Sequence, residues 1–303
     1  MKKLAKQRSM KRDNMISSVI LNVCMTLLTL IFVLPLCLVI STSLATEASL
    51  AEFGYTFFPK SFTLDAYKYV FQNPGQILNS YIVTILICLI VIPLQLFMNG
   101  MTAYALMRAP WGYKLLKYIY ISCFFGGGMI PVYIWYTQYL HLGNNFLVYI
   151  LPCVYSTGNI IMMRTFFKSH PNAIIEAAKL DGAGEFYIFF KLIVPISTPL
   201  FATLALMSLL ALWNQWQPTM LYIRNEKLWT LGYMLQHILK EASFQQEMTE
   251  KAAQITVDVT EAVVPDETIK YAMVVVAAGP AMVIMPFFRK YFKSGLVVGS
   301  IKG

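Results

Sequence analysis

One stretch of the chain combines charges, small residues and helix-breaking glycines. It is Ser169–Pro195, SHPNAIIEAAKLDGAGEFYIFFKLIVP. Glu176 and Asp181 form its acidic pair, with Ala177, Ala178 and Gly182 as the small residues around them. A flat alanine face beside two carboxylates suits close packing against a basic protein partner. It suits an ordinary loop with two helical turns equally well. Pro171 fits the first turn of a helix, where its missing N–H would be unpaired anyway. A short helix is predicted through Ile174, Glu176, Ala177 and Ala178. Gly182 and Gly184 are predicted to break it, because glycine adopts a positive φ at a helix end at little cost. A second helix is predicted with Phe186, Phe189, Phe190 and Ile193 on one side, ended by Pro195.

Other chemistries find no residues to support them. The five cysteines lie inside apolar runs, are odd in number and form no CxxC pair, so they read as small buried hydrophobes. His141, His170 and His237 are far apart, and no zinc-type spacing is visible. No catalytic, cofactor-binding or metal-binding residue is predicted. The chain has no phosphate-cradling GxxxxGK[ST] loop and is not expected to bind ATP itself.

The elements that must position the hairpin are membrane helices. Apolar residues make up 57% of the 303 residues and charged ones only 13%, against about 25% charged in soluble domains. The fold class expected is an all-α polytopic membrane protein. Six spans are predicted: 16–40, 77–99, 118–135, 146–163, 196–213 and 271–288. The first follows a basic N-terminus and is too long for a signal-peptide core, which runs about 7–15 residues. It is read as an uncleaved span, since about 20 apolar residues suffice to cross a bilayer. Gly126, Gly127 and Gly128 interrupt the third span, either as an unwound stretch lining a cavity or as a close helix contact. Pro35, Pro93, Pro131, Pro152, Pro199 and Pro280 are candidate kinks.

With the N-terminus inside, 17 of the 24 Lys and Arg residues fall on the inner side and 7 on the outer. The positive-inside rule then sets both termini in the cytoplasm, and the hairpin with them. The net charge of +9 is thereby explained by flanks of apolar segments, without nucleic acid. The organisation expected is a basic N-terminus (1–15), a six-span domain (16–291) containing the hairpin (169–195) and an outer loop (215–270), and a C-terminal tail (292–303). The aromatic-rich stretch 42–76 suits a membrane interface. Leu228, Leu231, Met234, Leu235, Ile238 and Leu239 follow the spacing of an amphipathic helix. Ile255, Val257 and Val259 alternate like a short strand, for which loop packing is the preferred alternative.

None of the six predicted spans contains Asp, Glu, Lys, Arg or His. Ion-coupled carriers place an ionisable group inside the membrane, because coupling needs a group that changes charge. A membrane enzyme needs acid–base or nucleophilic groups at a common depth. Any driving free energy must therefore enter from outside the spans, and a cytoplasmic docking hairpin offers a route.

The run Glu176-Ala177-Ala178-Lys179-Leu180-Asp181-Gly182-Ala183, continuing to Pro195, resembles the EAA loop of ABC importer permeases. Its DGA form and terminal proline resemble the carbohydrate-uptake, maltose-permease-like family. Phe125–Pro131, Met163–Phe167, Trp213-Asn214 and the ending from Glu267 resemble the LplC/YtcP-like branch. The resemblance implies a bacterial plasma-membrane protein, a non-catalytic translocation subunit of an oligosaccharide importer, possible substrates including glycan- or pectin-derived oligosaccharides. Its implied partners are a second homologous permease, two cytoplasmic ATPase subunits carrying ATP and Mg, and an extracellular solute-binding lipoprotein. Glu176, Ala177, Ala178, Asp181 and Gly182 would engage the ATPase. For sugar recognition, Trp213, Asn214, Gln215 and Trp216, with Tyr133, Trp135, Tyr136 and Gln138, supply rings, amides and hydroxyls. An interfacial aromatic belt is the preferred reading of the same residues. Two alternatives stay open: a permease for a non-sugar solute such as a peptide, and a facilitator or channel without a motor.

Overall fold

The computed structural model describes residues 2–108, 114–115, 118, 128–255 and 266–295. In chain order the helices are α1 (Lys2–Ser43), α2 (Glu47–Phe53), α3 (Asp65–Val70), α4 (Pro74–Arg108), α5 (Met129–Ile134), α6 (Leu147–Ile150), α7 (Thr157–Lys168), α8 (Asn172–Leu180), α9 (Glu185–Ile188), α10 (Val194–Ile196), α11 (Thr198–Trp213), α12 (Gln217–Tyr222), α13 (Leu231–Ile255) and α14 (Asp266–Gly295). The described residues contain no strand, only one antiparallel bridge between Ala45 and Phe62.

Among the described residues, three helical segments are long and apolar enough to cross a membrane: Ser18–Ser43, Pro74–Arg108 and Glu267–Ile284. Two bent pairs raise the number to five if each is one span. Leu147–Cys153 meets Thr157–Lys168 at 43°, and Glu185–Ile196 meets Thr198–Trp213 at 78°. The predicted first, second and sixth spans overlap the long segments, and the fourth and fifth fall on the bent pairs. Half of the predicted third span, including Gly126 and Gly127, lies outside the described residues, as do Val257 and Val259. Of the candidate kink prolines, Pro35, Pro93 and Pro280 sit inside helices that continue past them. Sharp bends fall at residues 154–156, just after Pro152, and at Ser197, between Pro195 and Pro199.

The chain forms two compact units. The first comprises residues 1–72 and 239–276. Here Glu47 accepts hydrogen bonds from the Thr268 N–H and hydroxyl at 3.3 and 3.0 Å. An anion at the start of α14 matches the positive end of its dipole. Tyr55 packs edge-on against Tyr271 at 5.8 Å. The apolar side chains of α1 from Val19 onward stay largely exposed.

The second unit comprises residues 73–238 and 277–303. Its backbone is α4, which packs along α7 and α11. The buried side of α4 runs Ile77, Ser80, Thr84, Ile87, Val91, Gln95, Asn99 and Ala103, steps of three and four that follow one face of a 3.6-residue helix. The opposite side, with Leu78, Ile82 and Leu89, is exposed. Met163, Phe167, Ile188, Ile193 and Leu204 form a continuous apolar core. Beyond α11, the buried Tyr149 hydroxyl bonds the Leu228 carbonyl at 2.9 Å and meets Thr219 Oγ1 at 2.7 Å. The predicted amphipathic helix is present as the start of α13, with Leu231, Met234, Leu235 and Ile238 buried.

Candidate functional site

Helix α8 begins at Asn172, and Pro171 caps it from just outside rather than standing in its first turn. Ile175 is 2% exposed and joins the core, where Ala178 also packs. Glu176, Ala177, Asp181 and Gly182 face outward. Ala178 is thus half-buried, and the exposed alanines of the helix are Ala173 and Ala177, one turn apart. Leu180 is 90% exposed, an apolar side chain with no cover of its own. The end of α8 is closed by a Schellman motif. The Ala183 N–H reaches the Ala178 carbonyl at 3.0 Å and the Gly182 N–H reaches Lys179 at 3.0 Å. Gly182 has φ +79°, the left-handed conformation expected of it. Gly184 does not: it is extended, φ −72°, and caps α9.

The second helix differs from expectation in two ways. A π turn at Phe189–Ile193 joins α9 to α10, so Pro195 lies inside the helix and the unit ends at the buried Ser197. A π turn takes more residues per turn than an α-helix, and the apolar stripe is wound apart. Phe189 and Ile193 are buried, whereas Phe186 and Phe190 are exposed.

A polar hub ties the hairpin to α4. Glu185 Oε2 accepts from the Tyr104 hydroxyl at 2.5 Å. Glu185 Oε1 meets Lys179 Nζ at 2.5 Å and Arg108 Nη2 at 3.6 Å. The Lys179 and Tyr104 hydrogen bonds hold the Glu185 carboxyl below the usual carboxylate range. At the other end of the hairpin, His170 Nε2 lies 3.4 Å from Ser197 Oγ. Burial lowers the His170 pKa.

A cleft of about 460 Å³ opens among α4, α7 and α11. Its walls include Gln95, Tyr155, Ser156, Asn159, Ser208 and Gln215, and no charged side chain lines it among the described residues. Gln95 Nε2 donates to the Cys153 carbonyl at 2.9 Å, and its Oε1 accepts from Ser208 Oγ at 2.6 Å. Asn99, one turn on, donates to the Val154 carbonyl at 3.3 Å and accepts from the Ser156 N–H at 3.1 Å. Those backbone groups belong to the break between α6 and α7. Broken backbone at membrane depth needs such partners, because lipid offers none. Gln215 Oε1 is buried without a hydrogen-bond partner among the described residues.

The aromatic residues named from sequence do not share one site. Trp213 is 4% exposed, donates from Nε1 to the Ala277 carbonyl at 2.9 Å and packs against Tyr81. It is a packing residue of the bundle. Asn214 caps α11, with Nδ2 bonded to Leu210 O at 2.9 Å. Trp216 is partly exposed, and Tyr133 stacks on Tyr222 at 5.6 Å. Gln95, Asn99, Asn159 and Ser208 were missed. Their signal was available: amides and hydroxyls inside apolar runs are costly unless bonded.

Comparison with known proteins gives this arrangement its relatives. Residues 69–298 match the family described as "Binding-protein-dependent transport system inner membrane component". Protein LplC of Bacillus subtilis (strain 168) is 36% identical over 275 residues, covering 90% of each chain. The polygalacturonan/rhamnogalacturonan transport system permease protein YtcP of the same organism is 32% identical over 277 residues, covering 90% of this chain and 94% of that protein. Among solved structures, that of a bacterial ABC transporter involved in the import of the acidic polysaccharide alginate superposes with a TM-score of 0.70 at 26% identity, over 93% of this chain and 98% of the other. The chain therefore belongs to the inner-membrane components of binding-protein-dependent transport systems, a family of multi-pass membrane permeases.

Proposed function

We propose that this chain is one of two permease subunits of an ATP-driven importer for oligosaccharides handed over by an extracellular binding protein. The observation that carries this reading is the hairpin. It holds Glu176, Ala177, Asp181 and Gly182 outward on a short helix whose other side is anchored in the core. Such a helix can seat in a groove of a soluble ATPase and pass its movement to the spans. Small side chains allow close approach, the two carboxylates attract a basic rim, and exposed Leu180 adds an apolar contact. ATP and Mg belong to the two partner ATPases, and this subunit catalyses nothing. The arrangement proposed is six spans with both termini inside, residues 16–291 forming the permease domain between a basic N-terminus (1–15) and a C-terminal tail (292–303).

The cleft is the proposed substrate path through this subunit. Amides and hydroxyls at Gln95, Asn159, Ser208 and Gln215 suit the hydroxyls of a sugar, and Tyr155 offers a ring. Trp216, Asn214 and Tyr133 remain candidate contacts nearer the outer side. Trp213 would support that region by packing. The names of two relatives, one for polygalacturonan/rhamnogalacturonan and one for arabinooligosaccharides, point to oligosaccharides of these kinds.

The test is purification of the tagged chain with its native partners, followed by uptake of labelled oligogalacturonides, neutral oligosaccharides and peptides into proteoliposomes. Co-purification of an ATPase and a second permease, with ATP-dependent sugar uptake, is expected. A chain that purifies alone and passes solute without ATP would make it a facilitator. Uptake of peptides but no sugar would overturn the substrate class.

A further inference from the structure

We propose that Glu185 is a positioning residue, clamping the Glu176 helix to the C-terminal end of α4 so that movement of the hairpin is carried into the span. The inference rests on the coupling reading of the hairpin given above.

Helix α8 is poorly anchored by packing alone. Ile175 is its one fully buried side chain, with Ala178 half-buried beside it. A helix held at one point can pivot when pushed, and a pivoting helix transmits little. The hub removes that freedom. Lys179 lies in the last turn of α8, Glu185 opens α9, and Tyr104 and Arg108 are one turn apart at the end of α4. The left-handed turn at Gly182 folds Lys179 and Glu185 back on each other to 2.5 Å. One carboxylate therefore joins three helices. Beside it a groove of about 350 Å³, lined by Met101, Tyr104, Arg108 and Phe186, leaves the apolar contact between α4 and α9 incomplete. Polar bonds span the gap that packing does not fill.

The charges give the clamp its sensitivity. Glu185 sits between two cations and one phenol. Without its negative charge, Lys179 and Arg108 face each other as like charges, so neutralisation both removes bonds and adds repulsion. The carboxylate side chain is 48% exposed, and a half-exposed ion pair adds little to folding stability. Loss of the clamp should then appear in coupling while assembly stays intact.

The experiment measures substrate imported per ATP hydrolysed, using the complete complex in proteoliposomes. Glu185→Gln should lower the ratio about tenfold, the scale of one lost charge-assisted hydrogen bond, with subunit stoichiometry unchanged. Glu185→Asp keeps the charge and should recover part of the ratio. Tyr104→Phe removes one hydroxyl and should give a fall of about threefold. A purely structural role would reduce the amount of complex and leave the ratio of the surviving complex at the wild-type value. If Glu185→Gln fails to assemble, Tyr104→Phe decides, and an unchanged ratio there overturns the proposal. Gly182→Pro is measured alongside. A wild-type ratio in Gly182→Pro would bring down the coupling reading itself. A collapsed ratio there, with wild-type ratios in the Glu185 and Tyr104 variants, would bring down the clamp alone.

Discussion

The hairpin and the cleft lie in the same compact unit, yet they are built from opposite chemistries. The hairpin joins its helices with a carboxylate, two cations and a phenol. The cleft holds a broken helix together with two amides and a serine. Both have the same task, which is to fix a chain break against α4. On the proposed arrangement the difference lies in the medium. The Glu185 side chain is 48% exposed, and water reaching it screens and solvates the charges of the hub. At the cleft a charge would have to leave water, at a cost of about 2.5 kcal/mol or more at the centre of a bilayer helix. Neutral amides supply a donor and an acceptor together and avoid that cost. The same pairing leaves the cleft uncharged, which suits a ligand read through hydroxyls.

Four experiments would break or sharpen this contrast. The largest effect is expected at the hairpin turn. Proline cannot adopt φ +79° and Gly182→Pro should abolish ATP-driven uptake, while Gly182→Ala should cost about 1–2 kcal/mol of local stability. Wild-type uptake in the proline variant would end the claim that this turn matters. Next comes Asn99→Leu. It strips partners from the Val154 carbonyl and the Ser156 N–H, at about 1–3 kcal/mol. A lower melting temperature of the purified complex is expected, and an unchanged one would show that the break needs no amide clip.

Gln215→Ala is expected to act more weakly. Removing one neutral hydrogen-bonding group is worth about 1 kcal/mol, hence a several-fold rise in KM for uptake with ATPase stimulation preserved. An equal loss of ATPase stimulation would move Gln215 from the substrate path to the coupling machinery. The smallest effect is that of pH. Glu185 has a lowered pKa in the folded state. Its contribution is full above the ordinary carboxylate value of about 4.3 and is lost as pH falls through the lower folded value. His170 also titrates below its ordinary value, because burial favours the neutral ring. Its contribution is full above about 6.5 and fades on acidification through the folded value. The protection of amides in 169–197, taken as exchange relative to the intrinsic rate at each pH, should therefore stay constant from pH 8 to about 7 and fall only on further acidification. A loss of protection toward alkaline pH would contradict both assignments.

Much of the hairpin was legible because its signals are local. A helix end followed by Asp-Gly is decided by backbone dihedrals within a few residues, and Gly182 behaves as read. Gly184 was misread because two glycines in close succession carry the same local signal, and only hydrogen bonding to Ala178 and Lys179 chooses between them. The second helix was misread because a π turn leaves no mark in residue spacing. Phe186, Phe189, Phe190 and Ile193 have ideal spacing for one face, and the tertiary structure separates them. Trp213 carried an ambiguous signal, since its ring suits a sugar, an interface or a core. Its indole N–H bonds the Ala277 carbonyl, 64 residues away, a contact that no local signal announces.

Composition and hydropathy by themselves determined a helical membrane protein. Local signals also marked the polar hairpin between residues 169 and 195. These properties follow from hydropathy and local backbone preference, which act over a few residues. The burial face of α4 was a tertiary decision. Its sequence is apolar nearly all round, so no periodic contrast marks the stripe from Ile77 to Ala103. The cleft and the hub were tertiary decisions too, because Gln95 meets Ser208 across 113 positions and Tyr104 meets Glu185 across 81. Pairings of that range depend on how the helices pack, and packing is set by the fit of whole faces rather than by any one segment.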